Sequence, residues 1–167
     1  MITAEHIISL LHLEPHPDEG GHFVETYRSQ EEIPGSVLPG RYKGPRSFAT
    51  AIYYLLTPHT FSVMHRLQTD EIFHFYLGDP VEMLLLGPGE SGKLLLLGTD
   101  LFGGMRPQVV VPRSVWQGAR LSQGGRFALL GTTVSPGFER VDCETGQRDP
   151  LVHLYPLFRE QILALTR

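Results

Sequence analysis

The stretch "HRLQTDEIFHFYLG", residues 65–78, places a polar turn between two apolar, aromatic segments. Side chains on a β-strand alternate between the two faces of a sheet, so this spacing predicts two strands with regular faces. His65 and Leu67 share a face of the first strand, and Glu71, Phe73 and Phe75 share a face of the second. The stretch therefore predicts two strands, joined by a turn, whose histidine and carboxylate side chains point into the same protein interior.

The same strand-like pattern extends over most of the chain. Short segments rich in aromatic and β-branched residues recur at roughly ten-residue spacing, separated by Gly, Pro, Asp or Ser. These segments are "HFVETYRS", "SFATAIYYLLT", "TFSVMH", "EIFHFYLG", "VEMLLLG", "KLLLLG", "PQVVVP", "SVWQGARL" and "RFALLGTTV". Because no helical pattern lies between them, they predict an all-β fold, an antiparallel sandwich or barrel.

Helices are expected only at the two ends of the chain. Residues 3–13 have one apolar side and begin at Thr3, which is a good N-cap residue. The final segment "YPLFREQILALTR" has a packing stripe and carries Pro156 in its first turn. The segment "EEIPGSVLPGRYKGPR" is predicted to be a long loop, and residues 1–167 are predicted to form a single domain.

The composition narrows the classes of function. Hydrophobic residues make up 41% and charged residues 19%, which is typical of a globular protein. The net charge of −4 and the scattered basic residues argue against a nucleic-acid partner. Cys143 is the only cysteine, so no intrachain disulfide can form. With no basic leader and no apolar run of membrane-spanning length, we expect a cytoplasmic protein with no membrane partner.

The opening stretch fits a known motif. The first motif of the cupin superfamily is His-x-His-x3-Glu-x6-Gly, in which both histidines and the glutamate are metal ligands. His65, Glu71 and Gly78 match it, and Leu67 stands at the second histidine. The second motif contains Pro-x-Gly-x2-His, and its nearest match is "PRSVWQ", residues 112–117. The chain thus resembles a cupin, which implies a jelly-roll barrel or sandwich.

Several further stretches resemble one branch of that superfamily, the cupin-5 family. They are "HPDEGGHFVETYRS", "SVMHRLQTDEIFHFYLGDPVEMLLL", "VVVPRSVWQGARL" and "GTTVSPGF". The resemblance covers residues 8–142 and implies a fold related to that of the deoxynucleotide-sugar epimerases, with a homodimer as the usual assembly. It implies no particular reaction, because a fold does not deliver a function.

The sequence departs from the motifs at the metal ligands. Leucine replaces one histidine, and Gln117 replaces the histidine of the second motif. Leucine cannot bind a metal and a carboxamide binds one weakly, so we expect no tightly bound metal and no cofactor. If a metal were bound, its ligands would be His65, Glu71 and Gln117, joined by His74 across a β-bulge.

His65 and Glu71 are the candidates for catalysis. An interior carboxylate must be paired, hydrogen-bonded or neutralised, so a purely structural His65–Glu71 pair is the alternative. A histidine base in the barrel would suit an epimerase or isomerase that acts on a sugar-like or other polar ligand. Two other readings stay open, namely a non-catalytic ligand-binding or sensor module and a metal-dependent enzyme.

Further residues are candidates for ligand binding. Gln117 is predicted to face the interior of the barrel, whereas the neighbouring Trp116 is predicted to face a packing surface. Phe73 and Phe75 could stack on a ligand, with core packing as the alternative. In "HFVETYRS", Glu25 and Tyr27 share a face and could contact a ligand, although this strand is also a candidate for the edge of a homodimer.

Overall fold

The computed structural model describes residues 2–167. The strands are β1 (Glu14–Pro15), β2 (His22–Arg28), β3 (Glu32–Ile33), β4 (Arg46–Ser47), β5 (Thr50–Leu56), β6 (Phe61–Leu67), β7 (Glu71–Gly78), β8 (Val81–Leu86), β9 (Gly92–Leu97), β10 (Gln108–Val111), β11 (Trp116–Leu121), β12 (Ala128–Val134) and β13 (Cys143–Thr145). The α-helices are α1 (Ala4–Leu11), α2 (Arg148–Leu154) and α3 (Arg159–Ala164). None of the helices in this part of the chain is long and apolar enough to cross a membrane.

Two large sheets pack against each other. One has the strand order β1-β2-β5-β12-β7-β10, and the other has the order β13-β6-β11-β8-β9. Neighbouring strands in both sheets are antiparallel. Apolar side chains from both sheets fill the space between them, including Tyr54, Leu56, Phe73, Phe75, Val81, Met83, Leu85, Ala119, Leu121 and Leu130. The predicted all-β sandwich is therefore confirmed.

Strand β7 shows the alternation that the sequence predicts. Glu71, Phe73 and Phe75 are buried, whereas the residues between them are partly exposed. The strand ends at Gly78, whose φ is +110°. A Cβ atom placed there would lie 2.3 Å from the carbonyl oxygen of Phe127, so the close approach of these two backbones requires glycine.

The terminal helices cover the outer faces of the sheets. The Thr3 hydroxyl accepts a hydrogen bond from the His6 amide and caps α1, as predicted. At the other end we expected one helix from Tyr155, but the structure has α2 before it and a 3₁₀ turn at Pro156–Phe158. Proline disfavours helical geometry in the residue before it, and Tyr155 is non-helical, so α2 and α3 are separate.

The predicted long loop is firmly attached to the rest of the protein. It contains β3, β4 and a 3₁₀ turn at Gly35–Val37. At its end, the Arg46 guanidinium donates to both carboxylate oxygens of Asp142 at 2.6 Å, and both side chains are buried. Paired, charge-assisted hydrogen bonds of this kind fix the geometry of both partners.

Strand β2 departs from simple alternation and is partly an edge. It pairs with β5 along its length, but β1 covers only His22 and Phe23. The register with β5 shifts between Glu25 and Tyr27, where one strand bulges. A bulge changes the face on which the following side chains lie, and this change matters at the site described below.

Replacing Gly78 by alanine should destabilise the fold. The positive φ and the contact with Phe127 both oppose a Cβ atom, so we expect Gly78→Ala to lower the free energy of unfolding by about 3 kcal/mol. Gly40→Ala is the matched control, because no atom lies within 4 Å of its Cβ position, and it should change the value by less than about 0.5 kcal/mol. Urea unfolding measures both, and equal effects would refute the role of Gly78.

Candidate functional site

A cavity of about 280 Å³ opens at one end of the sandwich. Its wall comes from β2, β5, β6, β7 and β12, and from the segments before β2 and after β12. The polar lining includes His16, Glu19, Glu25, Arg28, Glu71, Thr132, Glu139 and Arg140. The apolar lining includes Phe23, Ile52, Leu67, Val134 and Phe138. The cavity therefore offers both charged and apolar groups to a ligand.

Glu71 is the buried carboxyl group of the cavity wall, at only 7% exposure. Its Oε2 accepts a hydrogen bond of 2.6 Å from Nε2 of Gln117. Burial raises the pKa of Glu71, and the negative charge of Glu19 raises it further, while His65 and hydrogen bonds from Thr132 and Gln117 act in the opposite direction. The net shift is upward, so Glu71 holds its proton to a higher pH than an ordinary glutamate.

His65 lies beside this carboxyl group on β6, directly opposite Gln117 on β11. The ring is 1% exposed, and its Nδ1–H donates to the carbonyl oxygen of Val63 at 2.8 Å. Its Nε2 lies 3.6 Å from Oε2 of Glu19. Burial lowers the pKa of His65, but the charges of Glu19 and Glu71 outweigh burial and raise it overall.

The predicted candidates His65, Glu71 and Gln117 thus lie together, but only Glu71 is among the cavity-lining residues. His65 and Gln117 are both 1% exposed and form the layer behind the wall. Gln117 Oε1 has no hydrogen-bond partner within residues 2–167, so its amide orients Glu71 through the nitrogen alone. This placement makes Glu71, rather than His65, the group that a ligand would meet.

Two functional candidates, His16 and Glu19, lie in the segment between β1 and β2. Nδ1 of His16 accepts hydrogen bonds from the backbone amides of Asp18 and Glu19, at 3.3 and 2.9 Å. Glu19 lies between two rings, because its Oε1 is 3.9 Å from Nε2 of His16 and its Oε2 faces His65. Strand periodicity cannot find such turn residues, although they fall in the family-like stretch "HPDEGG".

The mouth of the cavity carries paired charges. The Arg28 guanidinium donates to both carboxylate oxygens of Glu25 and to Oε1 of Glu139, each at 2.9 Å. Arg140, which also lines the cavity, pairs with Asp18. These side chains are partly exposed, so the pairs form a charged rim that a ligand could displace.

Three of the candidates for ligand contact lie away from the cavity. Tyr27 is 55% exposed, because the bulge in β2 places Arg28, and not Tyr27, beside Glu25 at the opening. Phe73 and Phe75 face inward as predicted, but they pack in the core between the sheets. Alternation fixes the face of a side chain and leaves open whether it meets the core or a cavity.

The residues at the motif positions do not fit a cupin metal centre. Leu67 offers no donor atom, and Gln117 turns its amide nitrogen, not its oxygen, toward Glu71. His74 remains on the outer face of β7, where its Nε2 lies 3.2 Å from a threonine hydroxyl and its ring stacks on a tyrosine. Among residues 2–167, no group of three or more His, Cys, Asp or Glu side chains is arranged to hold a metal ion.

The family model Cupin_5, described as cupin superfamily (DUF985), matches residues 5–146. The chain therefore belongs to this family of cupins. It is also 31% identical over 132 residues to the uncharacterized protein YML079W of Saccharomyces cerevisiae. That match covers 74% of this chain and 66% of the yeast protein, slightly less than two thirds of its length.

Solved structures agree with this assignment. Protein SO0799 from Shewanella oneidensis superposes with a TM-score of 0.86 at 34% identity, covering 100% of this chain and 99% of that one. A dTDP sugar isomerase from Desulfovibrio desulfuricans gives a TM-score of 0.53 at 17% identity, covering 80% of this chain and 88% of that one. The second likeness shows the fold alone.

Replacing Glu71 by glutamine should flatten the pH dependence of stability. The pKa values of Glu71 and His65 are both raised by folding, above the ordinary 4.5 and 6.5, so folding takes up protons. The free energy of unfolding therefore falls as the pH rises through this range, and Glu71→Gln removes part of the fall. We expect the wild type to lose stability relative to Glu71→Gln as the pH rises above the ordinary glutamate value of 4.5, by roughly 1.4 kcal/mol per unit of pKa shift.

Urea unfolding at several pH values provides this measurement. The control is Glu160→Gln, because Glu160 is an exposed residue of α3, and its stability curve should run parallel to that of the wild type. The quantity to compare is the free energy of unfolding of the wild type minus that of Glu71→Gln. If this difference stayed constant or rose with pH, burial would not raise the pKa of Glu71.

Proposed function

We propose that this protein binds a small polar ligand in the 280 Å³ cavity and moves a proton on it, as an epimerase or isomerase. The observation that carries the proposal is the position of Glu71, a buried carboxyl group on the cavity wall that two protein donors hold in place. A carboxyl group with a raised pKa is suited to take up and release a proton near neutral pH.

The residues around Glu71 support proton transfer in different ways. Gln117 and Thr132 donate hydrogen bonds to it, which orient the carboxyl group. His65 lies behind the wall and stabilises the ionised form of Glu71 by its positive charge. In this proposal Glu71 carries the proton and His65 is a positioning residue, because the His65 ring lies outside the cavity lining.

The cavity suits a ligand that carries several oxygen atoms. At about 280 Å³ it is near the lower end of the usual range for ligand pockets, so a small metabolite fits best. Carboxylates can accept hydrogen bonds from hydroxyl groups, while Phe23 and Phe138 offer apolar surface to the carbon skeleton. A sugar-like polyhydroxyl compound combines both features.

Binding without turnover is the second candidate function. It is favoured by the burial of His65, because its ring is 1% exposed and its Nδ1–H donates to the carbonyl oxygen of Val63. A sensor or carrier would need the same polar cavity but no proton exchange. The two functions differ in one measurable property, namely the exchange of carbon-bound hydrogen of the ligand with solvent.

We also propose that the protein forms a homodimer through β2. Residues 24–28 pair with β5 on one side, while β1 covers the other side only at His22 and Phe23. An uncovered strand edge presents unpaired backbone donors and acceptors, and pairing with a second copy would satisfy them.

Loss of the Glu71 carboxyl group should slow turnover strongly while ligand binding is retained. Free aldoses, ketoses and nucleotide sugars would first be screened for thermal stabilisation, and compounds that bind would then be incubated in deuterated water. We expect the wild type to incorporate deuterium, and Glu71→Gln to slow incorporation by about 100-fold or more, because general acid–base catalysis contributes about that much.

The Glu160→Gln variant should exchange as fast as the wild type, because its site lies on α3. Binding with no exchange by the wild type would favour the sensor function. Equal exchange by Glu71→Gln and the wild type would contradict the role of Glu71.

Light scattering at micromolar concentration tests the assembly. We expect a mass of about twice the 18.7 kDa of one chain, because the uncovered edge of β2 favours pairing. A mass of one chain under these conditions would refute the dimer.

A further inference from the structure

The His16 ring is held at the cavity in a single orientation. It lies 4.5 Å from the Phe23 ring, measured between centroids, and its edge faces Tyr54. Its side chain is 11% exposed, and it belongs to the cavity lining. Neither cupin motif includes this residue, so its position comes from the turn that precedes β2.

Two backbone hydrogen bonds fix the protonation of this ring. The amides of Asp18 and Glu19 both donate to Nδ1, so Nδ1 must keep its lone pair free of a proton. A neutral imidazole with this arrangement carries its hydrogen on Nε2. Protonating Nδ1 would break both bonds at once, which favours the neutral ring.

The electrostatic surroundings agree with a neutral ring. Burial lowers the pKa of His16, and the positive charges of His65 and Arg140 lower it further. The carboxylates of Glu19 and Asp18 act in the opposite direction, and the net shift is downward. The pKa of His65 is instead raised overall, because the charges of Glu19 and Glu71 outweigh its burial. The hydrogen bonds agree with this difference, since Nδ1 of His65 donates to a carbonyl whereas Nδ1 of His16 accepts from amides.

The Nε2–H group of His16 is free to bind a ligand. Oε1 of Glu19 lies 3.9 Å from this nitrogen, which exceeds the length of a hydrogen bond. His16 thus presents one N–H donor in the same cavity as the Glu71 carboxyl group. A neutral imidazole held in this way acts as an electrophile, because it donates to a carbonyl oxygen without giving up its proton.

We propose that His16 binds the carbonyl oxygen of an α-hydroxycarbonyl compound, a ketose or aldose in its open form, while Glu71 takes the proton on the adjacent carbon. This inference rests on the proton-transfer function proposed above and names its substrate class. His16 would stabilise the negative charge that develops on the carbonyl oxygen. A donor that is already oriented toward such a charge accelerates the reaction.

The step balances without an oxidant or reductant. The carbon–hydrogen bond breaks, its proton goes to the Glu71 carboxylate, and its electron pair forms the carbon–carbon double bond of an enediolate. The carbonyl π electrons move to the oxygen that His16 binds. Return of the proton from Glu71 to the former carbonyl carbon, with transfer of the hydroxyl proton to the other oxygen, gives the isomer. Inversion at a single carbon would need a second proton donor on the opposite face of the ligand. A single carboxyl group takes and returns the proton on one face, which favours aldose–ketose isomerisation.

Nitrogen NMR of the ¹⁵N-labelled protein tests the state of His16 independently of any activity. We expect a neutral ring at pH 7 with a protonated Nε2 and an unprotonated Nδ1, and His16→Phe identifies the signals. A cationic ring, or a proton on Nδ1, at this pH would overturn the inference.

Kinetics test the role toward the ligand. The probes are D-fructose, D-xylulose and dihydroxyacetone for exchange in deuterated water, and xylitol for binding without a carbonyl group. His16→Phe keeps an aromatic ring beside Phe23, and it removes both the Nε2–H donor and the Nδ1 acceptor of the turn. We expect it to slow exchange of the ketoses by about 100-fold, as loss of one oxyanion donor does, and to leave xylitol affinity within about twofold.

Other outcomes identify which proposal has failed. If His16→Phe weakened xylitol binding as much as ketose exchange, His16 would be a structural residue of the turn and the inference would be wrong. His59→Phe is the control, since His59 lies outside the cavity lining, and it should resemble the wild type. Absence of exchange with all three ketoses in the wild type would contradict the proton-transfer function itself, whatever the NMR result for the ring.

Discussion

The hydrogen bond between Glu71 and Gln117 joins the two sheets at a place where a carboxyl group is buried between them. Glu71 belongs to the six-stranded sheet and Gln117 to the five-stranded sheet. Burying a carboxyl group is costly unless donors compensate it, so this position constrains what can surround it. Gln117, Thr132 and the charge of His65 together meet that requirement. The rest of the site is arranged around these contacts.

From this pair the polar network continues outward to the solvent. His65 connects Glu71 with Glu19, and Glu19 in turn faces His16 at the cavity wall. The two histidines thus flank one carboxylate, yet burial lowers the pKa of His16, whereas the charges of Glu19 and Glu71 outweigh burial and raise the pKa of His65. A cupin that lacks two of the usual metal-ligand side chains therefore still has a donor and a proton acceptor in one cavity. Proton transfer next to a carbonyl group, the reaction that we propose, needs both groups.

Much of the fold could be predicted because strands leave a strong pattern in the sequence. The period-2 alternation along β7 correctly placed Glu71 and both neighbouring phenylalanines inside. The same pattern could not show that Phe73 and Phe75 meet the core instead of the cavity. It also could not reveal the bulge that places Arg28 beside Glu25 at the cavity mouth and leaves Tyr27 exposed, because a bulge depends on pairing with β5.

The turn residues were beyond sequence reasoning for a different reason. His16 owes its role to hydrogen bonds from backbone amides, and such bonds have no periodic signature. Helix α2 was missed as well, because "RDPLVHL" is short and contains a proline. In both cases the local sequence is compatible with several conformations, and packing against the sandwich selects one.

We propose that the buried carboxyl group of Glu71 exchanges a proton with a ligand in the cavity. Carbon NMR of the protein labelled with ¹³C at the glutamate carboxyl carbons measures this directly, with Glu71→Gln to assign the signal. We expect the Glu71 signal to titrate at a pH clearly above the ordinary glutamate value of 4.5. A Glu71 signal that titrates at or below 4.5 would contradict it.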